Sequence, residues 1–512
     1  MGQKITPITL TSPGYFGINT QDSPTDMDPR FALQANNCVI DKSGRIACRK
    51  GWEAAHATLS ALGTSDVECI TELIISDGSS TILAAGNNKL FKLASGTLSE
   101  LTYGGGGVAP TITGNKWQTA TLNDIELFYQ TGHDPLIYDP TVSTTMYRRL
   151  SEKSGSTGTV YQCNTVLSAY GRIWAADSAT DKSTLVFSDL LTPHIWTGGT
   201  AGNLDLRKVW PSGGDRIMAL AAHNNQLFIF GRRQILVYSG ADDPATMKLT
   251  DHVDNIGCVN RDTVQNTGED IIFLSDSGVR SLMRTIQEKS SPMRTISRNV
   301  SDDIQQYINA GTSTNFISAY SPSDNFYLLT FGDNNITYCF DLKTVLQDGS
   351  NRVTTWSLIT PKCYMYSQDR TLYLGQSGYI GTYGSYKDNG TTFRMSYYTG
   401  WIDFGNPISY AILKKIRMTL SNGQGQRVVF KWGFDYVSPV GSSVFDMDST
   451  ESSEYNISEY AIAEYNIDTN TSVVSTPASG VGRVCQVGFE SQINTHPISV
   501  QKIDIYIKEG RF

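Results

Sequence analysis

Charge is scarce in this 512-residue chain. Asp, Glu, Lys and Arg make up 18% of it, against about a quarter in ordinary soluble domains. The formal net charge is −8, and basic residues never cluster beyond the pairs Arg49-Lys50, Arg148-Arg149, Arg207-Lys208, Arg232-Arg233 and Lys414-Lys415. Tight nucleic-acid binding needs Lys and Arg to displace counterions from phosphates. That class is disfavoured; transient contact is not. No apolar run reaches the 18 or so residues of a membrane span. The start, Met1-Gly2-Gln3-Lys4, lacks the apolar core of a secretory signal. Met1-Gly2 with Thr6 fits the myristoylation pattern, a loose match that arises often by chance. The sequons starting at Asn299, Asn335, Asn389, Asn456 and Asn470 follow from a Ser-, Thr- and Asn-rich composition.

Catalytic and metal-binding motifs are missing too. The eight cysteines stand singly, without a CxxC or a Cys/His cluster, which argues against zinc sites and a disulfide framework. They read as small core hydrophobes of a protein made in a reducing cytoplasm. The six histidines are isolated, and His223 reads as a structural residue. There is no Gly-x-Ser-x-Gly, P-loop, His-Glu-x-x-His, EF-hand loop or sialidase-type Asp box. The four glycines at 104–107 lack a following Lys-Ser/Thr and read as a flexible turn. Asp446-Met447-Asp448 offers two carboxylates in a loop, too few to define a cation site. The chain therefore reads as a non-enzyme with no catalytic, cofactor or metal residues.

Glycine is abundant, 46 residues, and tyrosine numbers 26, a composition suited to many short strands joined by tight turns. One pattern recurs. Two short apolar runs, 227–230 (LFIF) and 235–238 (ILVY), flank Gly-Arg-Arg-Gln. Each is too short for a helix and apolar on both faces. Similar pairs occur at 82–85 with 90–93, 125–129 with 136–138, 173–176 with 185–187, 271–274 with 279–282, 326–330 with 336–340, and 372–374 with 379–380. A spacing in the forties to low fifties with almost no helix between matches propeller blades. In a propeller each blade is covered on both faces by its neighbours. The stretches 247–250 and 255–259 are expected as outer strands of the blade at 227–238. The fold class expected is all-β: a β-propeller of six or seven blades over 53–392, preceded by an extended arm at 1–52. A smaller C-terminal β-sandwich follows at 393–512, built from strands near 395–403, 412–420, 427–434, 483–489 and 500–508. One helix, 302–310, is expected to be capped by Ser301 and stopped by Gly311, with Ile304, Tyr307 and Ile308 packed on the propeller rim.

A long insertion, about 435–482, interrupts the sandwich. It repeats Glu-Tyr-x-Ile three times from Glu454, a period that fits neither helix nor strand. No Lys or Arg occurs between Lys431 and Arg483, whereas Asp435, Asp446, Asp448, Glu451, Glu454, Glu459, Glu464 and Asp468 do. It reads either as a solvated loop or as an acidic surface facing something that must not adhere.

Three segments together resemble the tail nozzle, or tail-hub, proteins of short-tailed (podovirus-type) bacteriophages. They are the N-terminal "SPGYFGINTQDSPTDMDPRFALQANNCVIDKSGRIACRKGWE", the blade pieces "VFSDLLTPHIW" and "DNIGCVNRDTVQNTGEDIIFLSDSGVRSL", and the end, "TGWIDFG" with "VQKIDIYIKEGRF". The resemblance implies a virion tail protein assembled in the host cytoplasm. It would form a homo-oligomeric ring, typically a hexamer, below the portal and adaptor, closing the DNA exit channel and carrying fibres or spikes. DNA would touch it only in passing, and no stable membrane association is implied. A basic channel wall would brake a polyanion, so Asp446, Asp448, Glu451, Glu454, Glu459, Glu464 and Asp468 are candidates to line the lumen. The competing expectation is a propeller that binds or trims surface carbohydrate in host recognition, with Trp196 or Trp356 as exposed stacking platforms.

Overall fold

The computed structural model describes residues 5–12, 14–24, 26–113, 116–288, 295–311, 315–403, 410–447 and 471–509. Each expected hairpin lies within an antiparallel blade, and among the described residues the blades number seven. Blade one comprises Val67–Ile74, Ser80–Gly86, Lys89–Ala94 and Thr97–Glu100. Blade two is Gln118–Leu122, Ile125–Tyr129, Leu136–Tyr138 and Met146–Arg149, with Thr102–Tyr103 added in parallel. Blade three spans Cys163–Ala169 to Gly202–Asp205, and blade four Ile217–His223 to Lys248–Asp254. Blade five has three strands, Gln265–Asn266, Ile271–Ser275 and Gly278–Ser281, and then turns into the helix Leu282–Gln287. Blade six runs from Phe316–Ser321 to Asn351–Trp356. Blade seven takes Tyr364–Tyr366, Leu372–Gln376 and Tyr379–Tyr383 from its own stretch of chain; its fourth strand is Trp52–Ala54, far upstream.

The two-faced runs are explained by strand alternation. In blade four, Leu227, Ile229, Leu236 and Tyr238 pack with Trp174, Leu185 and Phe187 of blade three. The intervening Phe228, Phe230, Ile235 and Val237 pack with Ile271 and Phe273 of blade five. The same division holds around the ring, and it closes where Ile380 of blade seven meets Val67, Ile70 and Phe91 of blade one. All eight cysteines are unpaired; seven are buried and Cys363 is partly so. Across the ring the Arg261 guanidinium of the loop entering blade five donates to the Lys116 carbonyl at 3.2 Å, and Lys116 Nζ reaches the Lys362 carbonyl at 3.3 Å.

Several expectations give way. Residues 255–259 form no strand. They cross from the outer edge of blade four to the centre of blade five, with the Cys258 amide bonded to the Gly231 carbonyl and the Val259 amide to that of Leu274. Ser301 is not a cap: the 3-10 turn Arg298–Val300 runs straight into the helix Ser301–Ala310, so Ser301 is already helical. The helix still turns Ile304, Tyr307 and Ile308 onto the core, with Tyr307 stacked near Phe331 at 5.1 Å.

The described part of 5–52 is paired along the body rather than extended as an arm. Ile5–Thr11 lies antiparallel to Ile498–Glu509, and Cys38–Ile40 with Ile46–Cys48 extends the same sheet. Gly17–Ile18 and Phe31–Asn36 bridge Asn351–Trp356 of blade six to Phe393–Thr399. The sandwich thus has one sheet of Thr471–Gly482, Ala411–Asn422, Ile498–Glu509 and the N-terminal strands. Its other sheet, Phe393–Thr399, Val484–Ile493, Arg427–Phe434 and Val437–Asp446, continues through the N-terminal strands into blade six. Met418, Leu420, Ile503 and Ile505 of the first sheet meet Phe430, Trp432, Val487 and Phe489 of the second in one core. The insertion is not loop throughout: Val437–Asp446 and Thr471–Gly482 are strands.

Between blades one and two lies a charge without a counter-charge. Glu126 is fully buried and accepts from Thr71 Oγ1 at 2.7 Å and from Thr121 Oγ1. Burial raises its pKa from 4.5 to about 7, only partly offset by the threonine hydroxyls. A carboxyl whose pKa is raised on folding costs nothing below its unfolded pKa, and the cost grows as pH climbs to the folded value. Glu126→Gln is therefore expected to leave stability at pH 5 nearly unchanged and to raise it at pH 8 by roughly 2–3 kcal/mol, measured by urea denaturation at both pH values.

Candidate functional site

Two features stand outside the packing of blades. The first is the seam where propeller, sandwich and N-terminal strands converge. Arg49 lies at its heart, 0% exposed. Its guanidinium donates to Asp388 through two bonds, Nη1 to Oδ1 at 2.8 Å and Nη2 to Oδ2 at 2.7 Å. It also donates to Asn37 Oδ1 at 2.8 Å and to the carbonyls of Lys50 at 2.9 Å and Ser357 at 3.1 Å, and it lies 3.9 Å from the centre of the Phe393 ring. One side chain thereby joins the N-terminal strands, the end of blade six, the exit of blade seven and the first sandwich strand. Backbones crowd here: a Cβ on Gly51 would stand 2.0 Å from the Lys387 carbonyl oxygen, and one on Gly17, at φ +83°, 2.2 Å from that of Val353.

Above Arg49 opens a cleft of about 550 Å³, walled by Gln34, Asn36 and Asn37, by Ser357 and Leu358, and by sandwich residues including Arg394, Tyr398, Gln486 and Glu490. Lys431 Nζ lies 2.9 Å from Glu490, and Arg394 and the Tyr398 hydroxyl also bond to it. Burial pushes the Glu490 carboxyl up, but the hydrogen bonds from Tyr398, Lys431 and Arg394 outweigh it and hold its pKa below the ordinary value. It stays ionised and so cannot supply a proton at neutral pH. At the rim, Leu358 is 67% exposed with φ +69°. A leucine gains nothing from that backbone region, and such strain gathers at working surfaces.

The second feature is the margin of the sandwich, where the edge strands have no further strand paired to them among the described residues. Thr471–Gly482 and Val437–Asp446 are the outermost strands of the two sheets. Val437, Val440, Val444, Val473 and Val481 are each half or more exposed, and no charged residue occurs at 437–445 or 471–482. Long uncharged edges invite pairing with another chain, which monomeric proteins ordinarily prevent with lysines or a covering loop. Next to this margin, the outer face of the first sheet is basic. Lys415 and Arg417 are exposed there beside half-buried Lys502 and Lys508, and Asp504 among them is held by Lys502 at 2.9 Å and by Thr9 at 2.6 Å.

Of the acidic candidates, Asp446 ends the strand Val437–Asp446 and pairs with Arg427 at 2.8 Å, both exposed. Asp435, by contrast, is a turn residue, its carboxylate accepting from the Arg483 amide at 2.7 Å. Asp448, Glu451, Glu454, Glu459, Glu464 and Asp468, with the Glu-Tyr-x-Ile repeat, lie outside the described residues. Neither aromatic expected as a stacking platform is exposed. Trp356 is wholly buried, stacked on Tyr383 at 5.4 Å and bonded to the Cys38 carbonyl at 2.8 Å. Trp196 is 4% exposed, packed edge-on against Tyr161. Both fill joints between blades, where a large flat side chain buries the most surface. Sequence reasoning missed the cleft altogether, because its walls come from 33–37, 357–358, 394–398 and 486–490.

No protein-family model matches the chain, and no curated protein matches it. Among solved structures it is similar to the extracellular domain of a putative one-component system, BT4673, from B. thetaiotaomicron (12% identity, 71% of this chain and 43% of that one, TM-score 0.41). It is also similar to PorZ, a surface component of the type-IX secretion system of Porphyromonas gingivalis (13%, 70% and 44%, TM-score 0.39), and to the WD40 β-propeller domain of Doa1 (12%, 65% and 96%, TM-score 0.37). The chain spans less than half the length of the first two. Likeness this distant says nothing about function.

The strained rim makes a direct prediction. Leu358→Gly is expected to stabilise the protein by roughly 0.5–1 kcal/mol, the relief of a left-handed backbone exceeding the added freedom of the unfolded chain. The urea midpoint measures it.

Proposed function

We propose that this protein is a structural subunit of a short-tailed phage tail, packed side by side with copies of itself into a ring that closes the DNA exit and later conducts the genome. The observation that carries the reading is the pair of uncharged edge strands on the sandwich, with no further strand paired to them among the described residues. A surface of exposed valines on two free sheet margins is costly to leave in water and suits burial against another subunit. The resemblance of the N-terminal, blade and C-terminal segments to tail nozzle proteins supplies the tail context. In this reading the propeller stands to the outside as a rigid body, and the sandwich surrounds the axis. The acidic residues then keep the lumen from gripping phosphate. Screening over about 8 Å limits that effect to a channel little wider than the duplex.

Electron microscopy and native mass spectrometry of the purified protein test this. Rings, typically of six copies, are expected, and Val473→Lys with Val444→Lys is expected to abolish them while leaving the unfolding midpoint unchanged. A protein that stays monomeric at tens of micromolar, with or without phage neck components, contradicts the reading. A ring with the carboxylates of 446–468 on its outer surface contradicts the lumen assignment.

A further inference from the structure

None of the described residues lining the cleft above Arg49 belongs to the two edge strands, and its chemistry points elsewhere. A volume of about 550 Å³ falls within the range of small-molecule sites. Leu33 and Leu358 are the only aliphatic walls among the described residues, so an apolar ligand would leave the surrounding amides and hydroxyls unpaired. Glu490, the one carboxylate among the described lining residues, is already matched by Arg394, Lys431 and Tyr398. A metal ion or a free phosphate finds no uncommitted charge there.

What remains is a set of fixed amides. Gln34 donates through Nε2 to Ser396 Oγ at 2.9 Å, Asn36 through Nδ2 to Ser357 Oγ at 3.1 Å, and Gln486 through Nε2 to the Thr399 carbonyl at 2.9 Å. Each is locked by its nitrogen, and the three side-chain oxygens have no partner among the described residues. Acceptors each tethered through the amide nitrogen, beside the Arg394 guanidinium, suit a ligand carrying several neighbouring hydroxyls, each able to donate and accept. The rim supports a working role, since the exposed Leu358 holds left-handed backbone there at φ +69°.

We propose that this cleft binds a neutral saccharide, recognised by the Gln34, Asn36 and Gln486 amides and the Arg394–Glu490 pair. It binds without cleaving, because glycoside hydrolysis takes two carboxyl groups and the lining offers one. The proposal is independent of ring assembly.

The test uses the full chain on an array of neutral hexose and N-acetylhexosamine oligosaccharides, followed by titration calorimetry with the best of them. At least one is expected to bind, and Gln34→Ala and Asn36→Ala are each expected to weaken it about tenfold or more. Leu190→Ala, on the far side of the propeller, should leave binding intact. If a cleft variant fails to fold, hydrogen exchange of the unaltered chain with the same oligosaccharide decides: protection confined to 33–37, 394–398 and 486–490 supports the site. No binding across the array, or binding that the cleft variants do not alter, overturns it, as does protection elsewhere on the protein.

Discussion

A fully buried guanidinium holds this molecule together. Arg49 is surrounded by Asp388, the Asn37 side chain, two carbonyls and the face of Phe393. A charge removed from water is tolerable only when its partners replace the lost hydration almost completely. Those partners come from four separate stretches of chain, so the charge is satisfied only when all four are in place. Local satisfaction thus becomes a global condition on the fold. Arginine suits the position because its planar fork serves five donors in one plane and stacks on an aromatic ring, which lysine cannot do.

The same logic of closure runs through the propeller. No blade has a dry core alone; each apolar face is covered by the next blade, so the first and last blades must meet. They do so where Ile380 packs on Val67, Ile70 and Phe91, while Trp52–Ala54, just beyond Arg49 in sequence, supplies the outer strand of blade seven. The N-terminal 50 residues therefore perform two tasks in succession. They complete both sheets of the sandwich, then seal the ring.

The sequence announced the blades through their middle strands, because those are apolar on both faces and bracketed by turns such as Asn87-Asn88 and Asn224-Asn225, whose residues adopt left-handed backbone. It left six or seven open for a physical reason. Blade five replaces its fourth strand with a helix, and blade seven borrows one from more than 300 residues away. The strands Val437–Asp446 and Thr471–Gly482 were hidden because Ser, Thr, Pro and Gly, the vocabulary of loops, are interspersed among their valines. Trp196 and Trp356 misled in the opposite direction, since nothing local distinguishes a tryptophan that stacks on a ligand from one that fills a joint. Arg49 was visible only as part of a family-like pattern. Its role depends on Asp388, 339 positions later, and no periodicity reports such a pairing.

The most direct test is a double-mutant cycle between Arg49 and Asp388, using Arg49→Met and Asp388→Asn with stability read by urea denaturation. Each single change is expected to cost about 3–5 kcal/mol, since it strands the other charge, and the double variant to cost much less than their sum. Single costs below about 1 kcal/mol that add without coupling would show that the seam does not depend on this charge.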